Sequence, residues 1–180
     1  MDVVVGITGA SGVIYGIRLL EILKEKGVHS YLILSDWAQT VIRQETSMSI
    51  QMVEQLAGYR YGIGDLSAPI ASGSSPAFKM VVVPCTMKTL AGIANGFSTN
   101  LIIRAADVAM KENRTLVLVP RETPLNSIHL ENMLKLSRLG VTILPPIPAF
   151  YEKPNTIRDL VDHTVNRILA HLGIDRDRQE

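Results

Sequence analysis

Five short runs of valine, isoleucine and leucine recur along the chain, each followed by a segment of helical spacing, and this alternation restricts the fold more than any other feature. The runs are VVVGI (3–7), SYLILS (30–35), KMVVVPC (79–85), TLVLVP (115–120) and VTILPP (141–146). Val13, Ile14, Ile17, Leu20 and Leu23 keep helical spacing after the first run, and DWAQTVIRQET follows the second. TMKTLAGIANG and NLIIRAADVAMKEN follow the third, and residues 127–139 follow the fourth. The last helix is predicted over 157–172, with Ile157, Leu160, Val161, Thr164, Ile168 and Leu172 on one face. Strands this continuously apolar are buried on both sides, and strand–helix–strand crossovers place helices above and below a parallel sheet. The expectation is one doubly wound, Rossmann-like α/β domain over residues 1–180, with residues 173–180 as a polar tail. Between the second and third runs, a weak helical pattern over 49–56 precedes GYRYGIGDLSAPIASGSSPAF, a connection long enough to be either functional or disordered.

Composition removes several classes of function. A net charge of +1 leaves no broad basic surface for nucleic acid. Cys85 is the single cysteine, which rules out a disulfide framework and a cysteine-rich metal site, and His29, His129, His163 and His171 lack zinc-like spacing. No stretch reaches the about 18 uninterrupted apolar residues of a membrane span. A cytoplasmic protein acting on small molecules is expected, with no metal.

In such folds ligands sit beyond the carboxyl ends of the strands. The first of these ends reads GITGASG, a glycine turn that can present backbone N–H groups at a helix N-terminus to an anion, with the hydroxyls of Thr8 and Ser11 beside it. Glycine is equally required by a purely structural turn. Ser35 and Asp36 stand where the second helix begins, and Thr86, Lys88 and Thr89 where the next one does, as plain caps or as ligand contacts. Arg121 and Glu122 end the fourth strand, as an anion site or as a surface pair. Arg104, Asp107 and Lys111 form a plus–minus–plus helix face, either a solvated stripe or added cation density for a pocket. PPIPAFYEKP is a proline-stiffened loop carrying Phe150 and Tyr151.

Together, GITGASGVIYGIRLL, ASGSS, PCTMKTLAGIANG, NLIIRAADVAMKENRTLVLVPRETPLNSIHLENMLKL and ILPPIPAFYEKP make the sequence resemble the UbiX family of flavin prenyltransferases, from about residue 3 to residue 172. The resemblance implies metal-independent alkylation of reduced FMN by dimethylallyl phosphate. The first bond forms at flavin N5 as phosphate leaves, a second closes from C6, and the product serves a separate UbiD-type decarboxylase. Carried across by motif, the FMN contacts fall on Gly9, Ala10, Ser11, Ser35, Thr86, Met87, Lys88, Thr89 and Arg121. The dimethylallyl phosphate contacts fall on Tyr151 and Arg167, with Lys111, Glu122 and Ser72–Ser74 near the same pocket, and Ser74 and Lys111 are counted among the contacts. The residues expected to act in the chemistry are Ser11, Glu45, Lys111 and Glu122. A homo-oligomer, a dodecamer in relatives, is implied as well.

The chain departs from the family pattern at SDWAQ (35–39), where relatives often carry a lysine and alanines, and Trp37 there is either an electron-rich pocket face or packing at a subunit contact. Some relatives fold a longer, tryptophan-bearing tail over the pocket, a closure that the short tail here puts in question. Two alternatives remain for such a sequence: a flavin-dependent cysteine decarboxylase, whose histidine and PxMNxxMW-type loop are not seen here, and a non-catalytic FMN-binding protein, which would need the glycine turn but not Glu45, Lys111 and Tyr151.

Overall fold

In a computed structural model, which describes residues 1–174, the strands form one six-stranded, all-parallel sheet in the order β3-β2-β1-β4-β5-β6. The strands are β1 (Asp2–Ile7), β2 (His29–Leu34), β3 (Tyr59–Tyr61), β4 (Phe78–Cys85), β5 (Leu116–Pro120) and β6 (Thr142–Ile143). The helices are α1 (Val13–Glu25), α2 (Asp36–Glu45), α3 (Ile50–Glu54), α4 (Met87–Ala94), α5 (Leu101–Lys111), α6 (Ser127–Arg138) and α7 (Ile157–His171). The predicted tail overlaps the described residues only at Gly173 and Ile174; its remainder lies outside them.

Alternate residues of the central strands feed two cores. Val3, Val5, Ile7, Val81, Val83, Val117 and Val119 pack against α1, α2 and α7, whereas Val4, Met80, Val82, Leu116 and Leu118 pack against α4, α5 and α6. The doubly wound expectation therefore holds. No helix among the described residues is long and apolar enough to cross a membrane.

Three local expectations change. The connection after α3 contains the edge strand β3, paired to β2 at Tyr31, Leu32 and Ile33. The last predicted strand shrinks to Thr142–Ile143 because Pro145 and Pro146 have no N–H to continue a ladder. Ile157, assigned to the buried face of the last helix, is 75% exposed because it is the first helical residue and precedes the contact with the core.

The sheet order places a switch point between β1 and β4. The crossover from β1 leads toward β2 and that from β4 toward β5, so the loops diverge and leave a crevice above the two carboxyl ends.

Candidate functional site

Three helix N-termini meet that crevice. Gly12 precedes α1, Ser35 caps α2 by accepting the Ala38 N–H at 3.1 Å, and Thr86 caps α4 by accepting the Thr89 N–H at 3.2 Å. The loops beneath are stitched together. The buried Thr8 hydroxyl donates to the Pro84 carbonyl at 2.8 Å and accepts the Thr86 N–H at 2.8 Å. Ser35 N–H donates to Ile7 carbonyl at 3.0 Å, and Arg121 N–H to Cys85 carbonyl at 3.2 Å. Thr8, read from sequence as a possible ligand donor, is thus spent on holding β1 to β4.

The glycine turn is left open above this floor. Among the described residues, no hydrogen bond uses the backbone N–H of Ala10 or Ser11, and Ser11 is exposed. Gly12 adopts φ 98°, a left-handed conformation that a side chain would strain, and its N–H donates to Oε2 of Glu45 at 2.9 Å. Glu45, the last residue of α2 and 33 positions away in sequence, is therefore brought to the turn. The N–H groups available at three helix ends suit an oxygen-rich, anionic guest such as the FMN phosphate, so the residues present fit this group.

Arg121 and Glu122 sit exposed at the end of β5 without pairing with each other. Glu122 instead accepts the Thr123 N–H at 2.9 Å, and the Arg121 guanidinium has no ion pair among the described residues. On α4, Met87 is half-buried, Lys88 exposed at the second helical position and Thr89 buried, its hydroxyl accepting from that of Thr86 at 3.0 Å. The caps expected as one alternative at Ser35 and Thr86 are therefore real. Each hydroxyl is committed to its helix as an acceptor, and among the described residues the Ser35 proton finds no acceptor.

Tyr151 lies 75% exposed in a short turn, with its ring edge-on to His163 at 6.0 Å. His163, Thr164 and Arg167 line a cavity of about 250 Å³ against Leu144 and Pro145, and His163 and Arg167 also face a larger one of about 560 Å³ with Glu152 and Asp162. His163, read from sequence only as a histidine without zinc-like spacing, therefore belongs with Tyr151 and Arg167. The helical spacing of 163 and 167 was the available signal.

Lys111 and Ser74 lie elsewhere. Lys111 ends α5, just before β5 begins, and Ser74 belongs to the loop that leads into β4, so both sit at the amino-end edge of the sheet. The five residues of β5 alone put about 17 Å, at about 3.3 Å per residue, between that edge and Arg121. Lys111 Nζ donates to Glu112 at 2.6 Å, and this cation holds the Glu112 carboxyl below its ordinary range. Arg104 donates to the Ala71 carbonyl at 3.0 Å and to Asp107 at 2.7 Å, and Arg114 donates to the Gly73 and Ser75 carbonyls, so these two arginines, and not the whole plus–minus–plus stripe, hold the 71–75 loop within one chain. The structure therefore does not bring Lys111 and Ser74 to Glu122, with which the expected phosphate pocket grouped them, inside a single chain, because α5 runs from the site toward the opposite edge.

Cys85 is fully buried, and burial pushes its thiol up far beyond neutral pH, which makes it a small apolar residue and not a nucleophile.

The sequence matches the profile of the Flavoprotein family over residues 1–169. It is 53% identical over 174 residues to a probable UbiX-like flavin prenyltransferase of Bacillus subtilis, covering 97% of this chain and 85% of that one. It is 52% identical over 175 residues to the flavin prenyltransferase UbiX of Methanocaldococcus jannaschii, covering 97% and 95%. Among solved structures, that of AnUbiX (PadA1) in complex with FMN and dimethylallyl pyrophosphate is similar with a TM-score of 0.95 and 49% identity, over 97% of this chain and 93% of that one. A dodecameric FMN-dependent UbiX-like decarboxylase from Escherichia coli O157:H7 gives a TM-score of 0.96 at 49% identity, over 100% and 99%. The FMN-dependent cysteine decarboxylase TvaF, at 17% identity and a TM-score of 0.61 over 92% and 98%, shares the fold.

Proposed function

The chain belongs to the Flavoprotein family and, within it, to the UbiX-like flavin prenyltransferases, and from that premise we propose how its own residues carry out the reaction. It transfers the prenyl group of an allylic phosphate to reduced FMN. The reduced flavin supplies the nucleophile; the protein supplies position, charge and a proton path.

The observation that carries this assignment of roles is the crevice between β1 and β4, where the Ala10 and Ser11 N–H groups stand open and the Glu45 carboxylate is held on Gly12. In the proposal, Gly9, Ala10 and Ser11 receive FMN together with Ser35, the Thr86–Thr89 turn and the unpaired Arg121. Glu45 exchanges a proton at the reacting centre, beside the Ser11 hydroxyl. A carboxylate anchored by a backbone N–H keeps its other oxygen available, and positioned acid–base groups of this kind contribute about a hundred- to ten-thousand-fold. Glu122, Tyr151 and Arg167 bind the allylic phosphate, whose departure needs fixed donors and no metal.

Lys111 and Ser74 complete the phosphate site from another copy of the chain. Their place at the amino-end edge favours this arrangement, as does the exposed apolar surface of Ile128, Leu130, Leu134 and Leu139 along α6, of the kind that subunit contacts cover. A dodecamer and hand-over of the product to a UbiD-type decarboxylase belong to the same proposal and rest on the family resemblance; a cytoplasmic site of action belongs to it as the reading of the sequence.

The decisive experiment mixes the protein with reduced FMN and dimethylallyl phosphate without oxygen and measures the mass of the extracted flavin. A gain of one five-carbon unit is expected. Unaltered FMN after many turnover times would overturn the reading.

A further inference from the structure

Only Ala38 and Ile42 of the ten residues of α2 are buried, with Val41 partly buried beside them, so the core grips this helix along one narrow stripe and leaves its two ends to other contacts. Yet its last residue must place a carboxylate on one particular N–H. Two contacts join α2 to the glycine turn, one at each end. Glu45 meets Gly12 as described, and Trp37, near the helix start, meets Gly9. The second contact is very close. A Cβ built on Gly9 would stand 2.3 Å from the Trp37 Cβ, 3.1 Å from its carbonyl carbon and 3.2 Å from its Cα. No rotamer of Trp37 moves those atoms, and its indole, 71% exposed, adds no burial that would hold the helix.

We infer that Gly9 and Trp37 form a registration contact: the missing side chain at position 9 lets α2 seat against the turn at the height that brings Glu45 onto the Gly12 N–H. Gly9 and Trp37 are positioning residues for Glu45, and Gly9 has this role in addition to any contact with FMN. The inference rests on the catalytic role proposed for Glu45. Non-bonded carbon atoms sit at about 3.5–4.0 Å, so a methyl group on Gly9 pushes the start of α2 away by more than about 1 Å. A displacement of that size at a catalytic group costs about a hundredfold in rate.

The test moves the glycine from one side of the contact to the other. In Gly9→Ala, single-turnover alkylation is expected to fall about a hundredfold. Exchange of the Gly12 amide, followed by NMR in the flavin-free protein, is expected to quicken about tenfold as its acceptor leaves. Adding Trp37→Gly removes the opposing Cβ and leaves only the 3.1 and 3.2 Å backbone contacts, which a far smaller shift relieves, so both readouts should return to within about threefold of Trp37→Gly alone. Adding Trp37→Phe keeps that Cβ and should rescue neither. A purely structural glycine would alter melting temperature without the paired response of alkylation and Gly12 exchange. Should Gly9→Ala not fold, a folded Gly9→Ala/Trp37→Gly protein beside an unfolded Gly9→Ala/Trp37→Phe protein supports the same contact. A Trp37→Gly double variant no better than Gly9→Ala overturns the inference, and Gly9 then serves the ligand alone. A parent protein that does not alkylate FMN would instead overturn the functional reading, while the amide exchange still decides the contact.

Discussion

The two edges of the sheet are built from the same residue types and treat them in opposite ways. At the amino-end edge the polar groups named here satisfy each other. Lys79 donates to the Leu172 carbonyl at 2.6 Å, the Tyr31 hydroxyl to Asp2 at 3.3 Å, and Arg114 holds the Gly73 and Ser75 carbonyls at 3.1 and 3.0 Å. At the carboxyl-end edge, a stitched floor carries N–H groups at Ala10 and Ser11 and a guanidinium at Arg121 that find no partner among the described residues. Backbone polar groups are ordinarily paired, so donors left open over a rigid base mark where a ligand completes the bonding. The amino-end edge is closed on itself, with Lys111 partly exposed and paired to Glu112.

If that contrast is functional, substitutions at the open edge change chemistry before they change stability. The largest effect is expected at Glu45. Glu45→Gln keeps size and hydrogen bonding but cannot exchange a proton, so single-turnover alkylation should fall about a hundred- to ten-thousand-fold while FMN affinity stays near the parent value. Parent-like alkylation would remove Glu45 from the mechanism and with it the chemical half of the contrast.

Arg121→Ala should weaken FMN by about 1.5–3 kcal/mol through loss of a charge-assisted contact, measurable by calorimetric titration. Unchanged affinity would mean that an unpaired cation at this edge serves something other than the flavin.

Lys111→Ala sharpens the comparison differently, because the residue stands at the closed edge. FMN affinity should be unaffected and turnover reduced by about tenfold or more, in keeping with one lost charged contact to phosphate. Assembling Lys111→Ala chains with Glu45→Gln chains should recover activity that neither has alone, because some pockets then draw both intact residues from different copies. No recovery in verified mixed assemblies would place the function of Lys111 within its own chain.

The floor itself answers to stability. Thr8→Val leaves the Thr86 N–H without its buried acceptor, at a cost of about 1–3 kcal/mol in chemical denaturation. A smaller loss would mean that the loops are held by their other bonds.

How much of this was legible in the sequence follows the range of the interactions. The strands that form the two cores were visible because each is a local run of apolar residues, and the caps at Ser35 and Thr86 because capping acts over three residues. Tyr59–Tyr61 escaped notice: a three-residue edge strand with two exposed positions has no apolar run to display. The meeting of Glu45 with Gly12 spans 33 positions and depends on how α2 seats, which no local pattern encodes. The resemblance named Glu45, and only the fold shows what holds it. The same resemblance grouped Lys111 with Glu122, Tyr151 and Arg167, because motif order carries no information about which edge of the sheet a residue reaches.

The smallest expected effect lies where α7 begins, next to the loop that bears Tyr151. The Asp159 carboxylate accepts the Asn155 and Thr156 N–H groups at 2.8 and 2.9 Å, and Thr156 accepts the Asp159 N–H at 3.2 Å, closing a capping box. The Asn155 and Thr156 N–H groups, with the Thr156 side chain, favour the ionised carboxylate and lower the Asp159 pKa from its ordinary value. With the folded value below the unfolded one of about 3.9, the contribution is fully present above that value and is lost as pH falls through the folded one. Asp159→Asn keeps an acceptor but not the charge. Its melting temperature should therefore lie below the parent's at pH 7 and converge with it as the pH falls through the lowered pKa of the folded Asp159 carboxyl. A gap that stays constant across this range would show that the cap works through hydrogen bonding alone, and that charge at the open edge is reserved for ligands.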